Sequence, residues 1–161
     1  MLEWAQLPHV GCVGAKLLFP DGRLQHVGIA LRDGTAEHPF YRQWPGSQSR
    51  WTDTEVVRNC SAVTAACMMV RRSLFEQLGG FDETFPVNYQ DVDFCLRLAK
   101  LGRRHVYTPH AVLVHRESSS RPTGVHESER QHLRDRHGDV LWNDPYWPKP
   151  GRYGLIEASD A

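Results

Sequence analysis

A Pro-Asp-Gly turn at residues 20–22 separates two apolar stretches and constrains the fold more than any other feature of the chain. Residues 11–19 precede the turn and residues 24–31 follow it. Proline presets the backbone angle for the first corner of a turn, and glycine tolerates the positive φ that a tight turn often needs. Extended runs on both sides of such a turn are typical of a hairpin. The sequence therefore predicts antiparallel sheet near its start.

Two later stretches also have the character of strands. Residues 56–70 are extended, and residues 59–70 predict a mostly buried strand in the centre of a sheet. Residues 105–115 predict another strand, in which Pro109 favours an edge position or a bend because proline cannot donate to a sheet ladder. Residues 32–53 show no periodicity. Long loops are usually functional, so we interpret this segment as a candidate substrate loop.

Three segments have helical character. The apolar residues between Asp91 and Leu101 recur at helical spacing, and Gly102 closes the segment. A capping-box sequence at residues 73–76 predicts a short helix that ends at the glycine pair 79–80. Residues 127–137 predict a helix with a thin apolar face. The order of elements predicts an α/β or α+β fold with too few strands for a complete doubly wound nucleotide-binding sheet.

Length and charge narrow the function classes. The 161 residues suit a single domain, 1–161, with a proline-broken tail at 139–161. Nineteen basic residues balance nineteen acidic ones, which argues against nucleic acid as a partner. The start of the chain does not resemble a secretion signal, and no apolar run is long enough for a membrane span. We expect a cytoplasmic location.

Cysteine and histidine spacing gives weak metal signals. The four cysteines are Cys12, Cys60, Cys67 and Cys95, and they form no C-x-x-C pair. Three of the four lie within apolar segments, and we expect all four to be free thiols in a reducing compartment. The chain has nine histidines, which suggest two alternative zinc sites: His105, His110 and His115, or His126, His132 and His137. The gaps of five and six residues within these sets do not place the imidazoles on one helical face, so the signal is weak.

Two carboxylates stand at the start of the predicted helix, where the helix dipole stabilises negative charge. Asp91 opens the helix and Asp93 lies in its first turn. From the residues alone, Asp91 is interpreted first as a helix N-cap, because aspartate is a favoured cap. A catalytic role needs further context.

Five motifs in a fixed order supply that context. They are V-G-A-K-L-L-x-P-D-G-x-x-Q-H-x-G at 13–28, N-x-S-A-V-T-x-A-C at 59–67, R-x-x-F-x-x-x-G-G-F-D-E at 72–83, D-V-D-F-C-L-R-L at 91–98 and Y-T-P-H-A-x-L-x-H-x-E-S at 107–118. Together they resemble the C-terminal, acceptor-side half of bacterial family-2 glycosyltransferases of the GT-A fold. The resemblance implies a partial GT-A fold, with a mixed sheet and flanking helices, that lacks the N-terminal donor-binding half.

The resemblance also implies roles for particular residues. Asp91 would be the general base that deprotonates an acceptor hydroxyl during inverting transfer, and His115 would complete a metal site for the nucleotide diphosphate. We expect Asp93, Gln90, Trp44 and Trp51 to bind the acceptor; the two tryptophans are equally open to interpretation as a packing surface for a missing domain.

Two residues depart from the family pattern. Gln90 occupies a position where an acidic or small polar residue is common, and Ala66 occupies a position where glycine is expected. A methyl group at Ala66 would crowd a sugar if the backbone approaches the substrate there.

The resemblance includes no donor site. The one D-x-D sequence is Asp91 to Asp93, inside the base motif, and no glycine-rich phosphate cradle follows a strand. We therefore expect the chain alone to be inactive. A Mg²⁺ or Mn²⁺ cofactor, a nucleotide-sugar donor and a glycan or lipid-linked acceptor are expected only with a donor-binding half present.

Two rival hypotheses remain. The first is a non-catalytic glycan- or protein-binding module, in which a homodimer or a partner chain would cover the missing half. The second is a histidine-rich metal-binding protein, which substitution of His115 would test.

Overall fold

The computed structural model describes residues 1–49, 52–116 and 125–147. Its strands are β1 (Val10–Leu18), β2 (Leu24–His26), β3 (Ala30–Arg32), β4 (Thr35–Glu37), β5 (Gln48–Ser49), β6 (Thr52–Asp53), β7 (Arg58–Cys60), β8 (Met68–Val70) and β9 (Arg104–Val114). Its helices are α1 (Leu2–Ala5), α2 (Arg72–Gln77), α3 (Gln90–Lys100) and α4 (Glu127–His137), with 3₁₀ turns at Ala65–Cys67 and Gly138–Trp142.

The main sheet is mixed and has β1 and β9 at its centre. The strand order is β2-β1-β9-β7, and β8 pairs with the N-terminal part of β1 on the same edge that β2 uses further along. β1 and β9 are parallel, whereas the other pairs in this sheet are antiparallel. The predicted mixed α/β fold with flanking helices is confirmed, as is the hairpin across residues 20–22.

Successive residues of β1 serve two apolar clusters on opposite faces of the sheet. Cys12 belongs to the larger cluster, which includes the buried side chains of α3, and Val13 belongs to a smaller one with Ala5, Val10 and Val106. Side chains alternate across a strand, so a strand that is covered on both faces becomes apolar almost throughout. Nearly all of β1 is buried for this reason.

The prediction of a central strand at residues 59–70 is wrong. β7 lies at the edge of the sheet, and the chain then leaves the sheet and forms the 3₁₀ turn Ala65–Cys67 before β8 begins. Local hydrogen bonds favour this break, because the Thr64 side chain accepts from the Ala66 amide and caps the turn. An apolar run alone does not reveal such a break.

β9 shows that Pro109 indicates a bend and not an edge. The strand lies between β1 and β7, and its pairing with β1 shifts register between Ala15 and Lys16, whose partners are Thr108 and Val112. The extra residues on the β9 side form a bulge that contains Pro109. The predicted edge position is therefore wrong and the predicted bend is confirmed.

Helix ends differ in detail from the predictions. α2 begins after Arg71, and Glu76 binds the Arg72 side chain at 2.7 Å, so the predicted capping box does not form. α3 has Tyr89 at its N-cap, which makes the N-cap interpretation of Asp91 wrong. The end of α3 before Gly102 and the whole of α4 agree with the predictions. Residues 32–53, predicted as an irregular loop, contain β4, which pairs with the preceding strand β3, and the short ribbon β5-β6.

Candidate functional site

Asp91 lies in the first turn of α3 and is partly exposed. Its Oδ2 accepts a hydrogen bond from the Ala65 backbone amide at 2.9 Å, and its Oδ1 accepts one from the Val92 amide at 2.9 Å. The carboxylate thus bridges the start of the helix and the exposed turn at Thr64–Ala66. Each oxygen has further lone pairs that an approaching hydroxyl group can use.

The segment that leads into α3 is fixed from two directions. Tyr89 has a left-handed backbone conformation, with φ of 67°, and its hydroxyl group lies 2.9 Å from Thr35 Oγ1. Glu129 on α4 accepts hydrogen bonds from the backbone amides of Val87 at 3.0 Å and Asn88 at 2.7 Å. These contacts set the position and direction of the helix that carries Asp91.

His26 lies beneath the turn that binds Asp91. Its Nε2 faces the backbone amides of Gly28 at 3.2 Å and Thr64 at 3.5 Å, and its Nδ1 lies 3.1 Å from Nδ1 of His38. Burial lowers the pKa of His26 well below its ordinary value, and the nearby His38 and Arg58 lower it further. The imidazole is therefore neutral, and its Nε2 is an acceptor.

Asp93 is not placed for acceptor binding. Its side chain is 0% exposed and accepts hydrogen bonds from Arg97 Nε at 2.7 Å and from His137 Nε2 at 2.9 Å, with Arg136 Nε at 3.1 Å. Burial raises the pKa of the Asp93 carboxyl, but the hydrogen bonds from His137 and Arg97 outweigh burial and bring the pKa below its ordinary value. The expectation of an acceptor contact disagrees with this burial, because Oδ2 binds Arg97 within α3 and Oδ1 joins α3 to α4.

His115 follows the end of β9 and contacts β2. Its Nδ1 lies 2.8 Å from Gln25 Oε1, and its backbone amide donates to Leu18 at 2.9 Å. Because the amide oxygen accepts, Nδ1 carries the proton and the Nε2 lone pair is left as a possible metal ligand. This arrangement fits one ligand of a Mg²⁺ or Mn²⁺ site. In the described ranges no carboxylate cluster accompanies it, so the remaining ligands would be donor phosphates or other groups.

The other predicted acceptor residues are spread out. Trp44 is 59% exposed, and the Arg23 guanidinium lies 5.5 Å from its ring centroid. Gln90 is the first residue of α3 and is partly exposed. Ala66 is exposed in the turn beside Asp91, and Trp51 lies outside the described residues.

Strand β2 contacts both the surroundings of Asp91 and the side chain of His115. Gln25 reaches His115, and its neighbour His26 reaches the turn that binds Asp91. Asp91 and His115 themselves are not joined by any contact in the parts of the chain that the structure describes. The three-residue strand β2 therefore connects the two halves of the candidate site.

Comparison with known proteins identifies the family. A model described as "Glycosyltransferase like family 2" matches residues 23–138, which include Asp91, His115 and the strands that support them. The chain belongs to glycosyltransferase-like family 2. The family-2 match also covers Gln25, His26 and Glu129.

Named relatives of this family-2 chain include bacterial proteins of much greater length. The O-antigen biosynthesis protein RfbC of Myxococcus xanthus is 48% identical over 123 residues, which are 75% of this chain and 10% of RfbC. The N-acetylglucosaminyl-diphospho-decaprenol L-rhamnosyltransferase of Mycobacterium tuberculosis is 31% identical over an alignment of 165 residues, which covers 92% of this chain and 51% of that enzyme. The chain thus spans at most about half the length of these relatives.

Three supporting residues of the family-2 site were not singled out from the sequence. Gln25 and His26 belong to the motif at 13–28, where the Q-H pair was the available signal. Glu129 had no signal, because a glutamate on a charged helix normally faces solvent.

No helix within residues 1–49, 52–116 and 125–147 is both long and apolar enough to cross a membrane.

Proposed function

We propose that this chain is the acceptor-side part of an inverting glycosyltransferase, with Asp91 as the general base. The observation that carries the proposal is the position of Asp91, which is partly exposed at the start of α3 and hydrogen-bonded to the Ala65 amide within a family-2 domain. Its carboxylate would accept the proton of an acceptor hydroxyl as the oxygen attacks the anomeric carbon. Positioning contributes most to such a step, because a carboxylate is only a modest base.

We further propose a nucleotide-sugar donor and a glycan or lipid-linked acceptor in polysaccharide synthesis. The names of two relatives, an O-antigen biosynthesis protein and an N-acetylglucosaminyl-diphospho-decaprenol L-rhamnosyltransferase, support the acceptor class and polysaccharide synthesis. His115 Nε2 would supply one ligand to Mg²⁺ or Mn²⁺, which when bound stabilises charge on the departing diphosphate. Gln25 would hold that imidazole in the required tautomer. We expect the reaction in the cytoplasm, and cell fractionation with an antibody would test this location.

Donor binding is proposed to come from a segment other than this domain. The chain spans 51% of the length of the rhamnosyltransferase relatives, which leaves ample length in those enzymes for a donor-binding half. The end of β9 offers an apolar contact surface, since Val112, Leu113 and Val114 are 54%, 44% and 62% exposed. We therefore expect no transfer by residues 1–161 alone.

The test uses the coding sequence together with its natural flanking DNA on both sides, so that any donor-binding segment encoded there is present. Transfer of labelled sugar from a panel of nucleotide sugars to a bacterial lipid extract is measured with and without Mn²⁺. Asp91→Asn should lower the rate by about 100-fold or more, in line with loss of a general base. Asp135→Asn, on the exposed face of α4, is the matched control and should keep full activity.

A binding module is the second candidate, and the exposed apolar end of β9 favours it. A module of this kind would bind a glycan or a protein without transfer, or would pair with a second copy through this surface. Native mass spectrometry of the purified chain detects pairing with a second copy, and a glycan array detects glycan binding. Equal transfer by Asp91→Asn and the unmodified protein would remove the catalytic proposal, and glycan binding without transfer would establish the module.

A further inference from the structure

Two thiols and an imidazole converge in the core, and the Cys95 thiol donates to the backbone oxygen of Val63 at 3.8 Å. Cys12 lies on β1, Cys95 on α3 and His105 on β9, and all three side chains are buried. Their two sulfur atoms and one imidazole nitrogen lie within 4.8 Å of one another. In the described part of the chain this is the one such group of potential metal ligands.

The hydrogen bonds of His105 determine which ring nitrogen carries a lone pair. Its Nε2 lies 2.9 Å from the backbone oxygen of Cys95, so Nε2 carries the proton and donates it. Its Nδ1 accepts a hydrogen bond from the Cys12 amide at 3.2 Å, the long end of the usual range, and a bound ion would take this lone pair in place of that amide. Metal-bound histidines usually donate their second ring N–H to a backbone carbonyl or a carboxylate, as His105 does here.

We propose that Cys12 Sγ, Cys95 Sγ and His105 Nδ1 form a binding site for a zinc-type divalent cation. Two sulfurs and one imidazole are a donor set that favours zinc over magnesium or calcium. Both thiols lose their protons to solvent as the ion binds, and two thiolates neutralise the dication. The buried complex then carries no net charge, which avoids the cost of an unpaired ion in the core.

The required geometry is close to the one observed. Zinc–ligand bonds of about 2.0–2.3 Å in a tetrahedral arrangement place neighbouring ligand atoms about 3.5–3.8 Å apart. The three atoms, already within 4.8 Å, need to approach by about 1 Å or less. The fourth position would hold a solvent molecule, because the described residues supply three ligands.

A cavity provides an entry path. It has a volume of about 320 Å³, and its lining includes His105, Leu96, Ala99, Arg103 and Tyr146. An ion arriving through this cavity would reach the imidazole first. Once bound, it would connect α3, which carries Asp91 in its first turn, to the central strands β1 and β9.

The experiment is a titration of the reduced, folded chain with Co²⁺, followed by Zn²⁺ competition. Sulfur-to-cobalt charge-transfer absorption should increase until one Co²⁺ ion is bound per chain, and added Zn²⁺ should abolish this absorption. Cys12→Ser and Cys95→Ser should each weaken binding by more than the loss of about 10- to 100-fold that follows removal of a group that only orients a ligand. Cys67→Ser, a cysteine outside the group, should bind like the unmodified protein.

A second measurement does not depend on the folding of any variant. X-ray absorption at the zinc edge of the loaded, unmodified chain should show two sulfur ligands and one imidazole. Absence of charge-transfer absorption in the folded, reduced protein would overturn the proposal, as would a zinc shell without sulfur. Retention of tight Co²⁺ binding by both Cys12→Ser and Cys95→Ser would overturn it equally.

Discussion

Asp93 on α3 and His137 at the end of α4 are joined by a buried hydrogen bond of 2.9 Å between Oδ1 and Nε2. Both side chains are fully buried, and Arg97 binds the second carboxylate oxygen at 2.7 Å. This contact fixes the C-terminal helix against the helix that carries Asp91. It gives the second aspartate of the D-V-D sequence a structural role.

Asp93→Asn should therefore destabilise the fold strongly. Removal of one partner from a buried ion pair typically costs about 3–5 kcal/mol, because the remaining charge is left uncompensated. Urea unfolding followed by circular dichroism measures the change in the free energy of unfolding. Glu76→Gln, which removes an exposed pair with Arg72, is the control and should change stability by less than about 1 kcal/mol. A small effect of Asp93→Asn would contradict the structural role.

The Asp93 pair also predicts acid sensitivity. The pKa of the Asp93 carboxyl is lowered in the folded protein, so its stabilising contribution is present above the ordinary carboxyl pKa of about 3.9 and disappears as the pH falls through the folded value. The free energy of unfolding should thus fall more steeply below about pH 4 in the unmodified protein than in Asp93→Asn. Urea titrations between pH 2.5 and 5 would compare the two slopes; equal slopes would show that Asp93 is not responsible.

His26 predicts a second pH dependence, at milder acidity. Its pKa is lowered well below the usual value of about 6.5, so below that pH the unfolded chain gains a proton that the folded chain does not. Stability should fall with decreasing pH by up to about 1.4 kcal/mol per pH unit from this group. Urea unfolding between pH 5 and 7.5 measures the slope, which His26→Gln should reduce. His110→Gln, at an exposed position, should keep the original slope. An unchanged slope in His26→Gln would assign the effect to other groups.

Glu129 should influence activity from a distance. Its carboxylate accepts the backbone amides of Val87 and Asn88, just before α3 begins. Both amides share Oε1, and Oε2 accepts from the Asn88 side-chain amide at 2.9 Å. In Glu129→Gln an NH2 group replaces one of these acceptors and leaves a donor without its partner, so the change should cost about 1–3 kcal/mol of unfolding free energy and lower the transfer rate. Because Asp91 is intact, the loss should appear as a reduced kcat with the same pH profile. Glu127→Gln, on the exposed side of α4, is the control. Unchanged kcat and stability would show that the segment holds its shape without Glu129.

Gln25 should affect metal dependence. With Gln25→Leu, the Nδ1 proton of His115 loses its acceptor, and the imidazole is no longer held in one tautomer. The Mn²⁺ concentration for half-maximal transfer should rise about 10- to 100-fold, the usual cost of losing such a partner. Gln131→Leu, on exposed α4, should leave it unchanged. An equal Mn²⁺ requirement in Gln25→Leu would argue against His115 as a ligand.

Local signals in the sequence predicted much of this fold, and long-range contacts account for what they missed. Gly102, Gly138 and the residue 20–22 turn mark element ends correctly, because backbone conformation at these points depends on the residues themselves. The break at residues 61–67 was missed, since the Thr64 cap is hidden within an apolar run and the turn is also held by Asp91, which binds the Ala65 amide from another element. Tertiary contacts of this kind leave no mark in local periodicity.

The candidate site shows the same division. The proposed roles of Asp91 and His115 rest on recognisable motifs, whereas the residues that fix α3 in position carry no such signal. Glu129 faces inward from a helix that otherwise looks solvent-exposed, and its partners lie about forty residues away in the sequence. The burial of Asp93 likewise depends on His137, which no spacing rule connects to it.

The parallel pairing of β1 with β9 has a consequence for synthesis of the chain. Val10 pairs with Arg104 and Leu18 with Val114, so the central contact of the sheet joins distant parts of the sequence and closes late in folding. During translation β1 leaves the ribosome first and waits for its neighbour until residue 114 has been made. An almost entirely apolar strand in that state is prone to premature association with other chains. Nascent-chain chaperones are thus expected to bind residues 10–18, and slow translation through residues 19–103 to lower the yield of folded protein.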